Sequence, residues 1–356
     1  MPIFLDRGRI PPRWAERASF HPVLSINGYG RRTDYIKIAL VNNMPDPALE
    51  DTEMQFFELL EAAAGDIPVR IKLYSLPGIA RGERGRKHFD NFYQDFDDLW
   101  NTRFDAAIVT GTEPHCPNLR EEPYWHVLTE LLDWAERHTV SAVLSCLAAH
   151  AGVLHSDGIE RHRLDDKRFG VFDFAKAPHH LLTGHNSDQI RFPHSRWNEV
   201  RQDELRECGY AVITKSAEAG VDSFAKRKTN CLFVHFQGHP EYGSRTLLKE
   251  YRRDIKRFLG GERDTYPSLP KGYFDAAAAR LLADFRENAL SNRREETIAN
   301  FPESSVVETL QNGWNSSANS IYCNWLEYVR KRKAESPAYV TVAGYGKTLR
   351  KRSAAL

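Results

Sequence analysis

A cysteine stands at the point where an apolar stretch gives way to a run of small residues. Residues 140–145 are apolar or small, Cys146 follows, and residues 147–152 have the composition of a buried helix. This order predicts a sharp strand-to-helix turn that raises the cysteine side chain above the edge of a sheet. A helix N-terminus stabilises negative charge, so it favours the thiolate, which is the nucleophilic form of cysteine. The same amides can bind the oxyanion of an acyl-transfer intermediate.

A histidine and a carboxylate follow a second apolar stretch at a spacing that suits acid–base chemistry. Residues 231–236 have a strand pattern, and His239 and Glu241 come shortly after it, beyond a glycine. In a Cys-His-Glu triad His239 would take the proton of Cys146, and Glu241 would fix the histidine tautomer. Taken separately, a cysteine after a strand is also typical of a packing residue, and the other two residues can simply end a strand and begin a helix. The two segments together favour the triad.

Composition is typical of a globular enzyme and does not suggest a nucleic-acid or membrane partner. The 356 residues are 41% hydrophobic and carry a formal net charge of +1. So small a net charge provides no general attraction for polyanions or membrane surfaces. The 5 cysteines contain no CxxC pair, and no apolar run approaches the length of a membrane span. We therefore expect a reduced, cytoplasmic protein that acts on small molecules, with a homodimer left open.

The histidines do not form a clear set of metal ligands in the sequence. His179, His180 and His194 stand in a polar segment and are expected to be loop residues. Zinc sites usually combine several histidine, cysteine or carboxylate ligands at short fixed spacings. We therefore predict no metal and no bound cofactor.

The elements that must position the triad alternate between strand and helix patterns. The order predicts an α/β fold with a doubly wound, mostly parallel sheet flanked by helices, in which ligands bind at the carboxyl ends of the strands. Gly111, Cys146 and His239 all fall at such ends. The predicted strands cover residues 35–41, 69–76, 106–111, 140–145, 211–214 and 232–236, and the predicted helices cover residues 50–63, 121–137 and 244–258.

The chain divides into three parts by composition. Residues 1–34 are rich in proline and arginine and are predicted to be an irregular N-terminal segment, and residues 35–330 are predicted to be the catalytic domain. Residues from about 155 to 200 mix histidines with basic residues and suggest an insertion over the active site. Residues 331–356 form a basic tail, for which a flexible solubilising segment is favoured and contact with a polyanion is the alternative.

Further short motifs are spread along the chain: Asn-Met-Pro at 43–45, Asn-Phe-Tyr at 91–93, Val-Thr-Gly at 109–111, Tyr-Trp at 124–125, Gly-Val-Phe at 170–172, Pro-His-Ser-Arg at 193–196, Gly-His-Pro-Glu-Tyr at 238–242 and Asn-Trp-Leu at 324–326. With these motifs the chain resembles the homoserine O-acyltransferases of the homoserine O-succinyltransferase family over about residues 35–330. The resemblance implies a class I glutamine amidotransferase-like (flavodoxin-like) fold with a nucleophile turn at Cys146.

The resemblance also implies a reaction. A cysteine takes an acyl group from the co-substrate acyl-CoA as a thioester, and the γ-hydroxyl of homoserine then attacks that thioester in a ping-pong sequence. The product would be an O-acyl homoserine for methionine biosynthesis. By position, Cys146 matches the acylated cysteine of the family, His239 matches its base, and Glu241 matches the partner of the base.

Three substrate-binding residues are implied by the resemblance alone. Lys167 matches the substrate-contacting lysine of the family, Ser195 matches the serine of its His-Ser-Arg motif, and Arg253 matches the arginine that receives the carboxylate of the amino acid. A guanidinium can bind a carboxylate through two hydrogen bonds. Without the resemblance, each would be interpreted as a solvated surface residue.

Two departures from the family pattern leave the substrates open. Where the family usually has Gly-Ala-Pro-Leu followed by Gly or Glu, this chain has Gly-Thr-Glu-Pro-His at 111–115. His115 occupies the position that separates succinyl from acetyl donors, so the acyl group can be either. The lysine that usually follows Met-Pro is missing, because residues 46–49 are Asp-Pro-Ala-Leu. The acceptor can therefore be homoserine, serine or a related hydroxy amino acid.

Two other functional classes remain as alternatives. A glutamine amidotransferase would use the same triad to release ammonia, and residues 237–241 are close to its signature. Such enzymes usually flank their cysteine with glycines, whereas residues 145–148 are Ser-Cys-Leu-Ala. A binding protein without catalytic activity is less favoured, because all three triad positions are filled.

Overall fold

Two β-sheets and the helices packed against them make up the fold. The structure, a computed structural model, describes residues 3–5, 11–15, 35–178, 180–184 and 189–335. Within these ranges the strands are β1 (Ile3–Leu5), β2 (Ile36–Val41), β3 (Val69–Tyr74), β4 (Ala106–Val109), β5 (Ser141–Ser145), β6 (His162–Lys176), β7 (Gln189–Glu199), β8 (Ala211–Val212), β9 (Thr214–Ser216), β10 (Gly220–Val221), β11 (Ser223–Lys228) and β12 (Cys231–Phe236). The α-helices are α1 (Pro12–Ala15), α2 (Asp46–Ala64), α3 (Glu83–Phe92), α4 (Phe96–Asn101), α5 (Trp125–His138), α6 (Leu147–Asp157), α7 (Gln202–Glu207), α8 (Thr246–Leu259), α9 (Ala276–Ser291), α10 (Glu303–Val307) and α11 (Asn315–Glu335).

The large sheet has eight strands in the order β1-β3-β2-β4-β5-β12-β11-β8. The strands from β1 to β12 in this order run parallel, and β11 and β8 complete the edge in antiparallel pairing. The chain moves in one direction from β2 to β3 and in the other from β4 to β5, so the winding reverses between β2 and β4. The predicted doubly wound, mostly parallel sheet is confirmed. Ligands in such sheets bind beyond the carboxyl ends near this reversal.

Helices cover both faces of the large sheet because the side chains of each strand alternate between two apolar clusters. Ile36, Ile38 and Leu40 pack in the cluster that contains the buried faces of α2 and α11. Ala39 and Val41 pack in the cluster that contains α5 and α6. Successive strand residues point to opposite faces, and a strand covered on both sides therefore reads as a continuous apolar run. No helix in the described ranges is both long and apolar enough to cross a bilayer.

The segment for which the sequence suggested an insertion contains two long strands, β6 and β7. β6 and β7 form a long antiparallel hairpin within a second sheet, in the order β10-β9-β6-β7. The strand pattern was hidden because the first half of β6 is half-buried or exposed and highly charged. Gly170, with φ 145°, lies against Lys271, and a Cβ there would stand 2.3 Å from the Lys271 carbonyl oxygen. Only glycine permits that approach.

The two ends of the described chain also contribute to the fold. Within the N-terminal segment that was expected to be irregular, β1 pairs with β3 and forms one edge of the large sheet, and Trp14 of α1 packs on Phe57 with ring centroids 4.9 Å apart. At the other end α11 continues to Glu335, beyond the predicted domain limit of 330. Residues 336–356, the rest of the predicted basic tail, lie outside the described residues.

A hydrogen-bonded contact attaches α11 to the two strands that lead to the predicted catalytic residues. The Trp325 indole Nε1 donates to Ser141 Oγ at 2.9 Å, and Ser141 Oγ donates to the Leu232 carbonyl at 2.6 Å. Trp325 and Ser141 are almost fully buried. The contact therefore joins α11 to β5 and β12 at once.

We predict that Trp325→Ala lowers the free energy of unfolding by about 3–5 kcal/mol, because it removes a large buried side chain and leaves a cavity. Urea denaturation followed by circular dichroism measures this change. Trp325→Phe should cost less, since it keeps most of the packing and loses only the indole donor. The exposed Leu290 of α9 provides the control, and Leu290→Ala should change stability by no more than about 0.5 kcal/mol. If Trp325→Ala were as stable as Leu290→Ala, the buried Trp325 contact would not stabilise the fold as predicted.

Candidate active site

Cys146 occupies the turn between β5 and α6 in a strained backbone conformation. Its φ of 53° is positive, which among the described residues is found otherwise only at glycines. Its N–H donates to the Phe236 carbonyl at 2.7 Å, and its own carbonyl accepts from the Ala149 N–H at 3.0 Å. A non-glycine residue persists in this region only when its surroundings impose it, and such strain is concentrated at functional sites. The sharp turn predicted from the sequence is confirmed.

The start of α6 provides backbone donors beside the cysteine. The first N–H groups of an α-helix, here those of Leu147 and Ala148, have no carbonyl one turn earlier in the helix to accept their hydrogen bonds. Gly111 at the end of β4 approaches this point so closely that a Cβ on it would lie 2.9 Å from the Leu147 nitrogen. The glycine thus keeps space open near the amide. These groups are candidates for binding an oxyanion formed on a thioester.

His239 is held by three contacts just after β12. Its Nδ1 lies 2.9 Å from Glu241 Oε1, its backbone N–H donates to the Pro193 carbonyl at 2.9 Å, and its ring stacks on Tyr242 with centroids 4.1 Å apart. The Glu241 carboxylate fixes the proton on Nδ1, which leaves Nε2 for a second partner. Cys146 is near enough for its negative charge to raise the pKa of the imidazole, and it is the candidate for that partner. The structure therefore brings all three predicted triad residues together.

The charges around His239 decide its protonation. Burial by itself lowers the pKa of the imidazole, but the negative charges of Cys146 and Glu241 and their hydrogen bonds raise that pKa well above its ordinary value of 6.5. A positively charged imidazole beside a thiolate is the arrangement that keeps cysteine nucleophilic near neutral pH.

Glu241 is itself enclosed, because Ser145 Oγ donates to its Oε1 at 3.3 Å and its side chain is almost fully buried. A buried carboxylate is best stabilised when a positive charge pairs with it. The protonated imidazole of His239 is therefore the favourable partner for this residue as well as for the cysteine.

Strand β7 packs against the segment that contains His239 through its residue His194. His194 is fully buried in β7, so the expectation that it is a loop residue is wrong. Its Nε2 lies 3.2 Å from Asp222 Oδ1, and the same oxygen accepts from the Gly238 N–H at 3.0 Å. A Cβ on Gly238 would lie 2.6 Å from His194 Nε2, so the residue before the base must be glycine. Burial lowers the pKa of His194 to about 4, which makes it neutral at pH 7.

The three residues predicted to bind substrate meet at two carboxylates of α8. Ser195 Oγ donates to Glu250 Oε2, and Lys167 Nζ donates to Asp254 Oδ2 at 2.9 Å and lies 3.6 Å from Glu250. The Arg253 guanidinium donates to Asp254 Oδ1 at 3.0 Å and lies 3.8 Å from Glu250. About half of the Arg253 side chain is exposed. The structure therefore places the three side chains in one polar cluster, which we call the α8 cluster.

Tyr242 joins the α8 cluster to the triad. Its hydroxyl donates to Glu250 Oε1 at 2.6 Å, and its ring stacks on His239. Sequence reasoning missed Glu250 and Tyr242. Glu250 and Asp254 lie one helical turn apart on α8, which is a detectable spacing. The signal is not specific, because the sequence alone does not say that this face of the helix points inward.

His115 lies in the loop after β4. The backbone N–H groups of His115 and Cys116 both donate to Glu122 Oε1 at 2.7 Å, which fixes the loop. His115 lines a cavity of about 540 Å³, whose wall also includes His150 of α6. Among the described residues there is no group of three or more histidine, cysteine, aspartate or glutamate side chains that could hold a metal ion.

Comparison with known proteins shows the family of the chain. Residues 26–336 match the homoserine O-succinyltransferase family. The chain belongs to this family. Proteins named homoserine O-succinyltransferase from Rhodopseudomonas palustris and Bradyrhizobium japonicum are similar to it, with 46% identity over 82% of this chain and 87% of the relative, and 42% identity over 86% and 95%. The resemblance inferred from the short motifs is confirmed.

Solved structures of similar arrangement include glutamine amidotransferases. One from Thermotoga maritima has a TM-score of 0.46 and 10% identity, covering 83% of this chain and 98% of its own. Another from Methylobacillus flagellatus has a TM-score of 0.46 and 12% identity, covering 83% and 95%. Because these TM-scores are below 0.5, the family assignment depends on the sequence relatives and not on these structures.

We predict that removing both negative neighbours of His239 reverses the direction of its pKa shift. In the wild type, NMR titration of ¹⁵N-labelled histidine should give His239 a pKa above its ordinary value of 6.5. In the double variant Cys146→Ala, Glu241→Gln, burial remains and should bring that pKa below 6.5, and each single variant should lie between. His150, whose pKa burial lowers to about 3, is an internal reference that should not titrate near neutral pH. A pKa that stays high in the double variant would mean that another anion faces the imidazole.

Proposed function

We propose that the protein is an acyl-CoA-dependent homoserine O-acyltransferase that forms a thioester on Cys146. The observation that carries this proposal is the strained cysteine at a helix N-terminus within reach of the His239–Glu241 pair. This arrangement has the parts that covalent acyl transfer requires, namely a nucleophile, a base and an orienting carboxylate. Membership of the homoserine O-succinyltransferase family supports homoserine as the acceptor.

In the first half-reaction the Cys146 thiolate attacks the thioester carbonyl of acyl-CoA. The N–H groups at the start of α6 stabilise the oxyanion. When the intermediate collapses, the bond between the carbonyl carbon and the CoA sulfur breaks. The His239 imidazolium gives its Nε2 proton to that sulfur, so CoA leaves as a thiol. The products of this step are a neutral imidazole and an acyl-Cys146 thioester.

In the second half-reaction the neutral His239 acts as the base. It takes the proton of the γ-hydroxyl of homoserine while the oxygen attacks the thioester carbonyl, and Cys146 leaves as a thiolate. The imidazolium–thiolate pair is then restored. Glu241 keeps the Nδ1 proton in place through both steps, so Nε2 alone gives and receives protons.

The α8 cluster suits the amino-acid acceptor. A free amino acid carries an ammonium and a carboxylate, and the cluster offers both signs of charge within a short distance: Lys167 and Arg253 are cationic, and Glu250 and Asp254 are anionic. Arg253 is half-exposed and can turn its fork of donors toward a carboxylate. Tyr242 places this cluster directly beside His239, where the acceptor hydroxyl must arrive.

The product of this reaction is an O-acyl homoserine, in which the hydroxyl has become a better leaving group. We propose that it serves methionine biosynthesis. Succinyl is the acyl group in the names of the relatives, so succinyl-CoA is the first donor to test and acetyl-CoA is the second.

The test is release of CoA thiol from succinyl-CoA or acetyl-CoA in the presence of homoserine, measured with a thiol reagent. Wild type should release CoA and form the ester, and Cys146→Ser should lose this activity, because an alkoxide forms far less readily than a thiolate near neutral pH. Serine in place of homoserine tests the other acceptor. Ammonia release from glutamine, without any need for acyl-CoA, would instead identify a glutaminase, and full activity of the serine variant would remove Cys146 from the mechanism.

We predict that Arg253→Ala raises the KM for homoserine by about 10- to 100-fold, which corresponds to the loss of a charged hydrogen bond. The KM for the acyl donor should change little, because the donor reacts in the first half-reaction. Arg252 is the matched control, since its side chain faces Glu303 and Phe301 instead. Arg252→Ala should leave both KM values near those of the wild type. Equal effects of the two variants on homoserine would place the acceptor carboxylate elsewhere.

A further inference from the structure

Next to α6 lies a cavity whose wall includes two arginines, Arg161 and Arg163, that have no role in the two half-reactions. The cavity has a volume of about 540 Å³, which is within the usual range for small-molecule sites. Arg161 immediately precedes β6 and Arg163 is the second residue of that strand, and the cross-strand partner of Arg163 in β7, Asn198, lines the cavity too. Both arginine side chains line the same cavity, so both guanidinium groups can reach the same ligand.

Both arginines have donors to offer. Arg161 Nη2 donates to the Pro117 carbonyl at 2.8 Å, and Arg163 stacks over the Trp197 ring at 4.4 Å. Neither side chain forms an ion pair with a carboxylate among the described residues. A guanidinium has five N–H donors in a planar fork, so these contacts leave most of the fork for a ligand.

The two acidic groups near the arginines are already engaged. Glu160, which also lines the cavity, forms an ion pair with Arg120, and Glu122 accepts from the backbone N–H groups of His115 and Cys116. The positive charge of Arg163 lowers the pKa of Arg161, and the negative charge of Glu122 raises it. The wall of the cavity therefore has an excess of positive charge, and it would gain from an anion placed between the two arginines.

The cavity is also close to the nucleophile. His150 lines it, and the His150 N–H donates to the Cys146 carbonyl at 3.3 Å. Arg161 is within electrostatic range of Cys146. Leu119 and Leu154 supply apolar wall on the same cavity. A short methylene chain that ends in a carboxylate matches this combination of a nearby nucleophile, an apolar wall and paired cations.

We propose that Arg161 and Arg163 bind the terminal carboxylate of a dicarboxylic acyl group, and that they select a succinyl-type donor over acetyl. This inference rests on the proposed function, since it assumes that an acyl group reaches Cys146. His115 lines the same cavity, so the residue that replaces the usual glycine or glutamate belongs to the donor site. The phosphates of CoA are also anionic, so they are the alternative ligand for the two arginines.

The experiment measures the rate of Cys146 acylation without acceptor, using succinyl-CoA and acetyl-CoA with wild type, Arg161→Gln, Arg163→Gln and the double variant. We expect each single change to lower the second-order rate constant for succinyl-CoA by about 10- to 100-fold, and the constant for acetyl-CoA by much less, because acetyl has no second carboxylate. Arg206→Gln removes the same charge from an exposed residue of α7 and should affect neither donor. The variants Arg161→Lys and Arg163→Lys keep the positive charge and should recover part of the preference for succinyl-CoA.

Binding of free CoA distinguishes the two sources of negative charge. If the arginines held the CoA phosphates, the variants would lose both donors equally and would bind free CoA more weakly, which would overturn the proposal. A wild type that prefers acetyl-CoA would overturn it as well. A wild type that accepts no acyl group from either donor would instead remove the proposed function, and this inference with it. Thermal unfolding of each variant shows whether a lower rate reflects a loss of fold. If a glutamine variant is unfolded, the matching lysine variant is used instead, and a lysine variant that is folded but shows no preference for succinyl-CoA would overturn the proposal.

Discussion

One backbone hydrogen bond, from the Cys146 N–H to the Phe236 carbonyl at 2.7 Å, joins the two segments that make the site. It extends the parallel ladder of β5 and β12, in which Ser145 pairs with Phe236, by one step beyond the strands. The ladder holds the chain before the nucleophile and α6 holds it afterwards, which is what allows Cys146 to keep a positive φ. Because His239 follows Phe236 by only three residues, the same ladder also sets the distance between nucleophile and base. The Trp325 contact with Ser141 stabilises this pair of strands from the far side of the sheet.

The charged residues of the site come from both sheets. Around His239, the positive imidazole stands between Cys146 and Glu241, and burial strengthens both attractions. Strand β6 contributes residues to both proposed substrate sites. Arg163 lines the cavity, and Lys167 donates to Asp254 in the α8 cluster. A shift in the β6–β7 register lies between Arg163 and Arg168. Such irregularities change the direction of neighbouring side chains, and one strand can thereby face two sites.

The sequence predicted most of what local pattern determines. The parallel strands, the helices between them and the turn at Cys146 follow from apolar periodicity and from the small residues after the cysteine. The hairpin of β6 and β7 was missed because charged side chains interrupt its alternation, and tertiary contacts such as Gly170 with Lys271 stabilise it instead. His194 was misplaced for a similar reason, since its burial depends on the packing of β7 against Asp222 and Gly238. Glu250 and the cavity with Arg161 and Arg163 are products of long-range packing that a single sequence does not reveal.

Intact-protein mass spectrometry shows whether the acyl group passes through a covalent thioester on Cys146. The protein is incubated with succinyl-CoA or acetyl-CoA without any acceptor, next to Cys146→Ala. We expect the wild type to gain the mass of one acyl group, Cys146→Ala to gain nothing, and homoserine to remove the adduct. An adduct that persists in Cys146→Ala, or turnover of homoserine without any adduct on the wild type, would rule out a thioester on Cys146.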